Sequence, residues 1–300
     1  MNVFITGGLG FVGRHLSKAL LQGGHRVTAV GRTQDPEKID HRDFHYIAAD
    51  TTRPGDWQKS LADHEVVINL AGKSIFTVWT EKIKQQIYDS RIMTTRNLVA
   101  ALPEGGETIL CSTSAVGYYG DGGEDLLTED APPGDDFLAE VGRDWEKEAL
   151  AAEAKGARVV LPRFGIVLDR DGGALATMIP AFRSFVGGSL GSGRQWFPWI
   201  HMQDLVSAFQ FLIETPSFSG PFNFTAPEPV RNAELAKTLA RKLHRPACMP
   251  APAFMIKLVL GEFGEVLLAS QRAVPQRLKE AGFTFTYPKL DAALEEIVKR

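Results

Sequence analysis

The sequence predicts an α/β fold, a doubly wound parallel sheet with a smaller, mixed region toward the C-terminus. Three observations carry this. The chain opens on a strand-like run that breaks into a glycine turn and then a helical pattern, MNVFITGGLGFVG. Strand-like and helix-like stretches then alternate six times as far as Pro162, and strands joined through helices must run parallel. Beyond Arg163 the texture changes to glycine- and aromatic-rich stretches, separate helices and the Pro-rich segment PACMPAPAF. The main domain is therefore expected over residues 1–165, with 203–230 returning to it. The substrate-side region is expected over 166–202 and 231–300.

In the first unit, Val3 to Thr6 form the strand and a helix runs from Phe11 toward Leu21. Between them, Gly7 lets the chain turn tightly, Gly10 lets backbone approach a pyrophosphate, and Gly13 lets helix and strand pack closely. The helix N-terminus aims free N–H groups at phosphates. The spacing is G-x-x-G-x-x-G rather than G-x-G-x-x-G. Its place between strand and helix makes it a Rossmann-type dinucleotide signature rather than a plain glycine turn. Gly23 and Gly24 stop the helix, and a second strand from His25 ends on Gly31 and Arg32. A carboxylate there would bond a ribose 2′-hydroxyl, whereas Arg accommodates a 2′-phosphate, so Arg32 argues for NADP(H) over NAD(H). The alternative makes Arg32 a solvated charge and hands the acidic role to Asp35.

The third strand, Phe44 to Ala49, closes with Asp50, a candidate partner for the adenine amino group. A short helix at Trp57 to Leu61 leads to the fourth strand, Val66 to Leu70, which runs into Ala71 and Gly72, small enough for a cofactor to pass close by. The long helix from Thr80 to Leu102 carries Ser90 and Arg91, facing either the site or solvent. The fifth strand, Thr108 to Ser112, ends in Ser112, Thr113 and Ser114, whose hydroxyls could bond a substrate or cap backbone. A helix from Phe137 to Ala154 and a sixth strand ending on Pro162 complete the repeats. Gly187 to His201, GGSLGSGRQWFPWIH, reads as a ligand-contacting loop that offers Arg194, Trp199 and His201. Helices follow at Gln203 to Glu214 and Asn232 to Leu243, and the tail after the Pro-rich segment is helical, with one strand at Thr284 to Tyr287.

Composition narrows the function. Thirty-three Lys and Arg against thirty-six Asp and Glu give a net charge of −3, which leaves no basic footprint for nucleic acid. No apolar run reaches the roughly 18 residues that span a bilayer, and the first segment is a strand rather than a charged leader, so a cytoplasmic protein without membrane contact is expected. Cys111 and Cys248 form no ligand cluster, so no metal site and no disulfide are expected, and Cys111 reads as a small core residue. The expected partner is a small-molecule substrate. No pattern sets an oligomeric state.

Together, TGGLGFVG, Arg32, NLAG (Asn69 to Gly72) and STSAVGYYG (Ser112 to Gly120) resemble the extended short-chain dehydrogenase/reductase superfamily. FLAEVGRDWE, GGALATMIPAFR, GSGRQWFPWIH and PVRNAE resemble epimerase family proteins of the YfcH type, sugar-nucleotide epimerase-like chains that end in a small domain of unassigned function, here residues 249–298. The resemblance implies cofactor contacts at Gly7, Gly10, Phe11, Val12, Gly13, Arg32, Asp50, Leu70, Ala71 and Gly72. It also places the Ser112 to Ser114 strand end beside the nicotinamide. Gly31, Ser112 and Pro162, at strand ends, are expected among the cofactor-binding residues as well. Superfamily enzymes use a Tyr-x-x-x-Lys pair to trade a proton with substrate. Here the residues four beyond Tyr46, Tyr88, Tyr118, Tyr119 and Tyr287 are Asp50, Ile92, Gly122, Gly123 and Asp291, and the two aligned positions hold Leu138 and Gly142. The remaining proton carriers are Ser114, Tyr118 or Tyr119, and His201. Arg91, Arg194 and Trp199 are expected on the substrate side. The expected function is an NADP(H)-binding oxidoreductase or epimerase acting on a small polar or sugar-nucleotide-like substrate. The alternatives are a non-catalytic NADP(H)-binding redox sensor or scaffold and, least supported, an RNA-binding relative.

Overall fold

The computed structural model describes residues 1–34, 39–247 and 249–299, so Asp35 and Cys248 lie outside the described residues. The first half contributes β1 (Asn2–Thr6), α1 (Phe11–Gln22), β2 (Arg26–Gly31), β3 (Phe44–Ala48), β4 (Val66–Asn69), α2 (Glu81–Ala101), β5 (Ile109–Ser112), β6 (Ser114–Ala115), β7 (Leu126–Leu127), α3 (Phe137–Leu150) and β8 (Arg158–Phe164). The second half contributes β9 (Ile166–Asp169), α4 (Gly173–Arg183), β10 (Trp196–Phe197), β11 (Trp199–His201), α5 (Met202–Glu214), β12 (Gly220–Phe224), β13 (Val230–Arg231) and α6 (Asn232–Leu243). It ends with α7 (Ala253–Leu260), α8 (Glu262–Leu268), β14 (Arg272–Ala273), α9 (Gln276–Glu280) and α10 (Leu290–Lys299). Among the described residues, no helix is long and apolar enough to cross a membrane.

The central sheet runs β12-β8-β5-β4-β1-β2-β3, with β6 added against β8, and every pair is parallel. Its strands read as apolar runs because both faces are covered. Val3 and Ile5 point toward α1 and α5, where they meet Leu16, Leu20 and Phe209. Phe4 points the other way, into a cluster with Trp57, Val67, Leu98 and Leu110. Burying side chains of this size stabilises by roughly 1.5–3 kcal/mol each before conformational entropy is charged. Cys111 is fully buried in the first cluster, and burial pushes its thiol up to about 12. Strand order reverses at β1, so connections leave to opposite faces and a crevice opens between the carboxyl ends of β1 and β4. Thr6 pairs with both Val30 and Asn69, and Asn69 with Ser112, which brings four strand ends to one edge.

Pro162 sits inside β8, where a missing N–H would ordinarily break a ladder. The pairing with β5 stops at Val160 and the pairing with β6 starts at Arg163, so Pro162 occupies the gap. A second core, with Phe182, Trp199, Leu235, Leu239, Leu294 and Ile297, holds α4, α6 and α10 together.

The sequence differs from the structure at Thr284 to Tyr287, which forms no strand. The carboxylate of buried Asp204, near the start of α5, accepts the N–H groups of Thr286 at 2.7 Å and Tyr287 at 2.9 Å, removing donors that a strand ladder would need. Burial raises the Asp204 pKa, and those two N–H groups oppose the rise. Asp204→Ala is expected to destabilise the protein by about 1 kcal/mol in urea denaturation, because it removes two hydrogen bonds from partly buried N–H groups. It should also speed amide exchange at Thr286 and Tyr287, with Asp204→Asn recovering part of the loss.

Candidate functional site

The glycine turn is closed by backbone alone: Gly7 N–H donates to Val30 O at 2.7 Å, Gly10 N–H to Gly7 O at 2.8 Å, and Arg14 N–H to Gly10 O at 2.9 Å. Gly7 has φ +70°, a conformation that side chains disfavour. A Cβ on Gly13 would lie 2.2 Å from Gly7 O and 2.8 Å from Gly8 Cα, so α1 meets the turn at a distance only glycine allows. Thr80, Asp136 and His201 cap α2, α3 and α5 with their side chains. By contrast, α1 starts at Gly10 with neither a side-chain cap nor an acidic residue in its first turn. Its free N–H groups and positive end are left for an anion.

This turn forms the floor of a cleft of about 800 Å³. Gly7, Gly10, Gly31, Arg32, Asp50, Ala71 and Gly72 line it, as does Ser90 of α2, together with Tyr46, Arg53, Lys73 and Asp89, which the sequence had not singled out as site residues. Phe11, Val12 and Gly13 are the first residues of α1, directly behind the floor, and Leu70 follows β4. Asp50 accepts the Thr52 N–H at 3.1 Å and the Thr52 hydroxyl at 2.7 Å, an Asx turn that carries Arg53 into the lining. The Thr52 hydroxyl chiefly, with the Arg32 and Arg53 charges beyond it, holds the Asp50 carboxyl below its usual range. Tyr46 brings its hydroxyl to 3.1 Å from where a Gly31 Cβ would stand. That oxygen is buried without a well-formed hydrogen bond to any described residue, and burial raises its pKa against the weaker pull of the Thr33 amide.

At the other end of the crevice the polar side chains divide into those already bonded and those left open. The Thr6 hydroxyl donates to Asn69 at 2.7 Å, and the Asn69 amide donates to Thr95 at 2.8 Å and Ser112 at 3.2 Å, so Ser112 belongs to a buried network between strands and α2. Thr113 and Ser114 follow, and their hydroxyl oxygens are buried with no hydrogen-bond partner among the described residues. Arg91 does not reach into the cleft. It donates to the carbonyls of Lys73 and Ile87, lies over the Trp145 ring and stands 3.2 Å from a Gly72 Cβ, bracing the wall, and burial lowers its pKa to about 10.

The remaining candidates are tied up more firmly than their sequence positions suggested. The Tyr119 hydroxyl donates to Asn223 at 2.7 Å, accepts from Arg163 at 2.9 Å, and is pushed by burial to about 12. Arg163 is itself buried and grips Glu146 with two bonds of 2.8 Å. Its guanidinium lies 3.7 Å from the ring centre of Tyr118. A Cβ on Gly142 would come within 3.2 Å of Tyr118 Cα, and one on Gly117 within 3.3 Å of Leu138 Cβ. The two helix positions that lack tyrosine and lysine are thus the seat of the Gly117–Tyr118 turn. Ser114 pairs with Arg163, so strand alternation puts the Ser114 side chain on the face that carries Arg163 and Tyr118.

The Gly187 to His201 stretch is not an open loop: Trp199 to His201 form β11 against β9 and are fully enclosed. Trp199 packs in the second core and donates to Glu228 O at 3.3 Å. His201 Nδ1 accepts the Gln203 N–H at 3.1 Å, while Nε2 faces Glu296 at 3.1 Å. Arg194 is exposed, with its carbonyl accepting from Arg231. Among the described residues, one metal-capable group forms away from these: His15, Asp169 and Asp171 bring ligand atoms within 4.8 Å of one another, and burial lowers the His15 pKa while Asp169 opposes the shift.

Residues 3–224 match the family model described as NAD dependent epimerase/dehydratase family, and residues 251–297 match a domain of unknown function, DUF1731. The chain is 41% identical over 305 residues to the epimerase family protein SDR39U1 homolog, chloroplastic, of Arabidopsis thaliana, covering 100% of this chain and 87% of that one. It is 40% identical over 303 residues to the epimerase family protein YfhF of Bacillus subtilis, covering 99% and 98%. A crystal structure of human epimerase family protein SDR39U1 with NADPH superposes with a TM-score of 0.87 at 32% identity over 100% of both chains. At 19% identity and a TM-score of 0.80, covering 100% of this chain and 98% of that one, the UDP-glucuronic acid 4-epimerase of Bacillus cereus shares the fold.

Burial lowers the His201 pKa from 6.5, with Glu296 pulling the other way. The unfolded chain therefore takes up a proton that the folded chain refuses, and stability falls as pH drops below about 6.5. His201→Asn keeps a helix cap without titrating, and thermal unfolding between pH 7 and 5 should show a shallower decline for it than for the native protein.

Proposed function

The chain belongs to the NAD dependent epimerase/dehydratase family, and from that premise we propose that it is an NADP(H)-dependent oxidoreductase or epimerase acting on a small polar, sugar-nucleotide-like substrate. The observation that carries the cofactor preference is the pairing of Arg32 with Arg53 at one end of a cleft whose floor is the uncapped N-terminus of α1. Bound NADP(H) would supply the hydride exchange. The Gly7 to Gly13 turn would hold its pyrophosphate, with the amides of Phe11 and Val12 behind it. Arg32, Arg53 and the open Tyr46 hydroxyl would receive the 2′-phosphate, a dianion that two guanidinium groups suit far better than a 2′-hydroxyl. Gly31, Asp50, Leu70, Ala71 and Gly72 would frame the adenosine and the bridge between its ends. Pro162 and Ser112 would stay in the sheet as supports.

The chemistry would fall to Ser114 and Tyr118. Ser114 has a buried hydroxyl with unused bonding capacity beyond the end of β5, where it can hold a substrate oxygen. Tyr118 presents a phenol whose ring rests on the Arg163 cation, so a fixed positive charge lies beside it without a lysine on α3. Tyr119 and His201 would serve as structural supports. The substrate would enter from the side formed by residues 166–202 and 231–300. The packing of Leu138 and Gly142 against the Gly117–Tyr118 turn favours a second reading, a non-catalytic NADP(H) sensor that has given up turnover.

Titration with NADPH and NADH tests the cofactor assignment. Arg32→Asp or Arg53→Ala should raise the NADPH dissociation constant by about 10- to 100-fold, the worth of one charge-assisted hydrogen bond, and leave NADH within about 3-fold. Equal losses for both cofactors would overturn the placement of the 2′-phosphate. On a substrate found by screening carbonyl compounds and sugar nucleotides, Ser114→Ala and Tyr118→Phe should each cut kcat by about 100-fold with NADPH affinity retained. Tight NADPH binding with no turnover on any of them would favour the sensor.

A further inference from the structure

Helix α7 reads AFMIKLVL, with Lys257 as its one charged residue, yet Ile256 is its one buried residue. Phe254 is 69% exposed, Met255 49%, Leu258 81% and Val259 65%. Those positions fall at i, i+1, i+4 and i+5, which is a single stripe along two turns of helix. The stripe continues sideways. Met249, 54% exposed, precedes it and donates its N–H to Gly187 O, which brings exposed Phe185 and Val186 alongside, and Leu190 bridges to Ala251. Weighting these exposures by whole side-chain areas gives on the order of 700 Å² of contiguous apolar surface, above the roughly 300–600 Å² of the largest patch on a typical monomer.

We propose that this face is an isologous contact with a second copy of the chain, α7 lying antiparallel to the partner's α7 across a two-fold axis. About 700 Å² per protomer is close to the roughly 800 Å² that each partner contributes to a standard interface. The shape fits a helix pair, since a convex stripe two turns long offers no groove for a longer helix. The rim fits as well. In an isologous contact a patch meets itself, so its border must carry both signs of charge. Lys257 and Glu265 stand at the border 3.0 Å apart, with Glu262 beside them and Arg245 over the Phe185 ring on the other flank. A uniformly acidic or basic partner would meet like charge somewhere along that border.

The test is the mass in solution of the full chain, measured by light scattering and sedimentation from about 1 to 100 µM, the range a standard-sized interface should span. The native protein is expected at twice the 32.9 kDa of one chain. Leu258→Glu should weaken association by at least about 100-fold, because it would bury an unpaired carboxylate in the contact. Leu258 is 81% exposed, so thermal unfolding and NADPH titration of the variant should match the native protein, and Val259→Ser gives a milder version of the same break. A native protein that stays monomeric to 100 µM overturns the proposal. So does an oligomer indifferent to both substitutions, which would be held elsewhere, and so does a monomer that sediments with phosphatidylcholine vesicles, whose apolar face would meet lipid. None of these outcomes bears on NADPH binding, so this inference and the proposed function fail separately.

Discussion

Everything at the site follows from the approach of α1 to the end of β1. Gly13 leaves no room for a Cβ, which would stand 2.2 Å from the carbonyl oxygen of Gly7. That contact sets the helix axis over the strand end and leaves the first-turn N–H groups facing the crevice, where neither side chain nor acid quenches them. Burial of Leu16 and Leu20 against Val3 and Ile5 holds the helix down, and the glycines let it come close enough to matter. A hydrophobic force supplies the stability here, and a steric allowance supplies the geometry.

Two buried polar networks carry that geometry across the sheet. The first links Thr6, Asn69, Thr95, Ser112 and Trp145, tying β1, β4 and β5 to α2 and α3. The second centres on Arg163, which joins Glu146 of α3, Tyr119 and the Glu129 carbonyl, while the Glu129 carboxylate takes the N–H groups of Asn223 and Arg277. A buried ion pair adds little net stability, because desolvation offsets the attraction, but removing one partner costs about 3–5 kcal/mol. Such pairs therefore select one arrangement among several that would bury the same apolar area. Here they bind the sheet to α9 and to the turn that carries Tyr118.

The open hydroxyls gain meaning against this background. Ser112, Tyr119 and Thr95 each have partners inside the protein, whereas Ser114 and Thr113, also buried, have none among the described residues. Leaving a buried polar group unpaired costs about 1–3 kcal/mol, a cost that a bound ligand or water removes. The same contrast separates the arginines: Arg163 and Arg91 are spent on internal partners, while Arg32 and Arg53 stand in the cleft wall, where both charges act on the Asp50 carboxylate.

By itself the sequence determined the local devices: the strand, glycine turn and helix of residues 2–22, the alternation that makes the sheet parallel, and Arg32 at the end of β2. These rest on backbone sterics and hydrophobic period, which act over a few residues and can be read there. The cleft lining at Tyr46 and Arg53 was half legible, since an Asp-Thr-Thr-Arg turn is visible but the neighbour it faces is not. The fate of the aromatic and titratable candidates was decided by the tertiary structure. Trp199 finds its acceptor 29 residues away, His201 its carboxylate 95 away, and Tyr119 its amide 104 away. The Asp204 side chain likewise takes N–H groups 82 and 83 residues on, so Thr284 to Tyr287 never forms a strand. A side chain's chemistry depends on whether its hydrogen bonds are already spent, and only the packing of distant segments settles that.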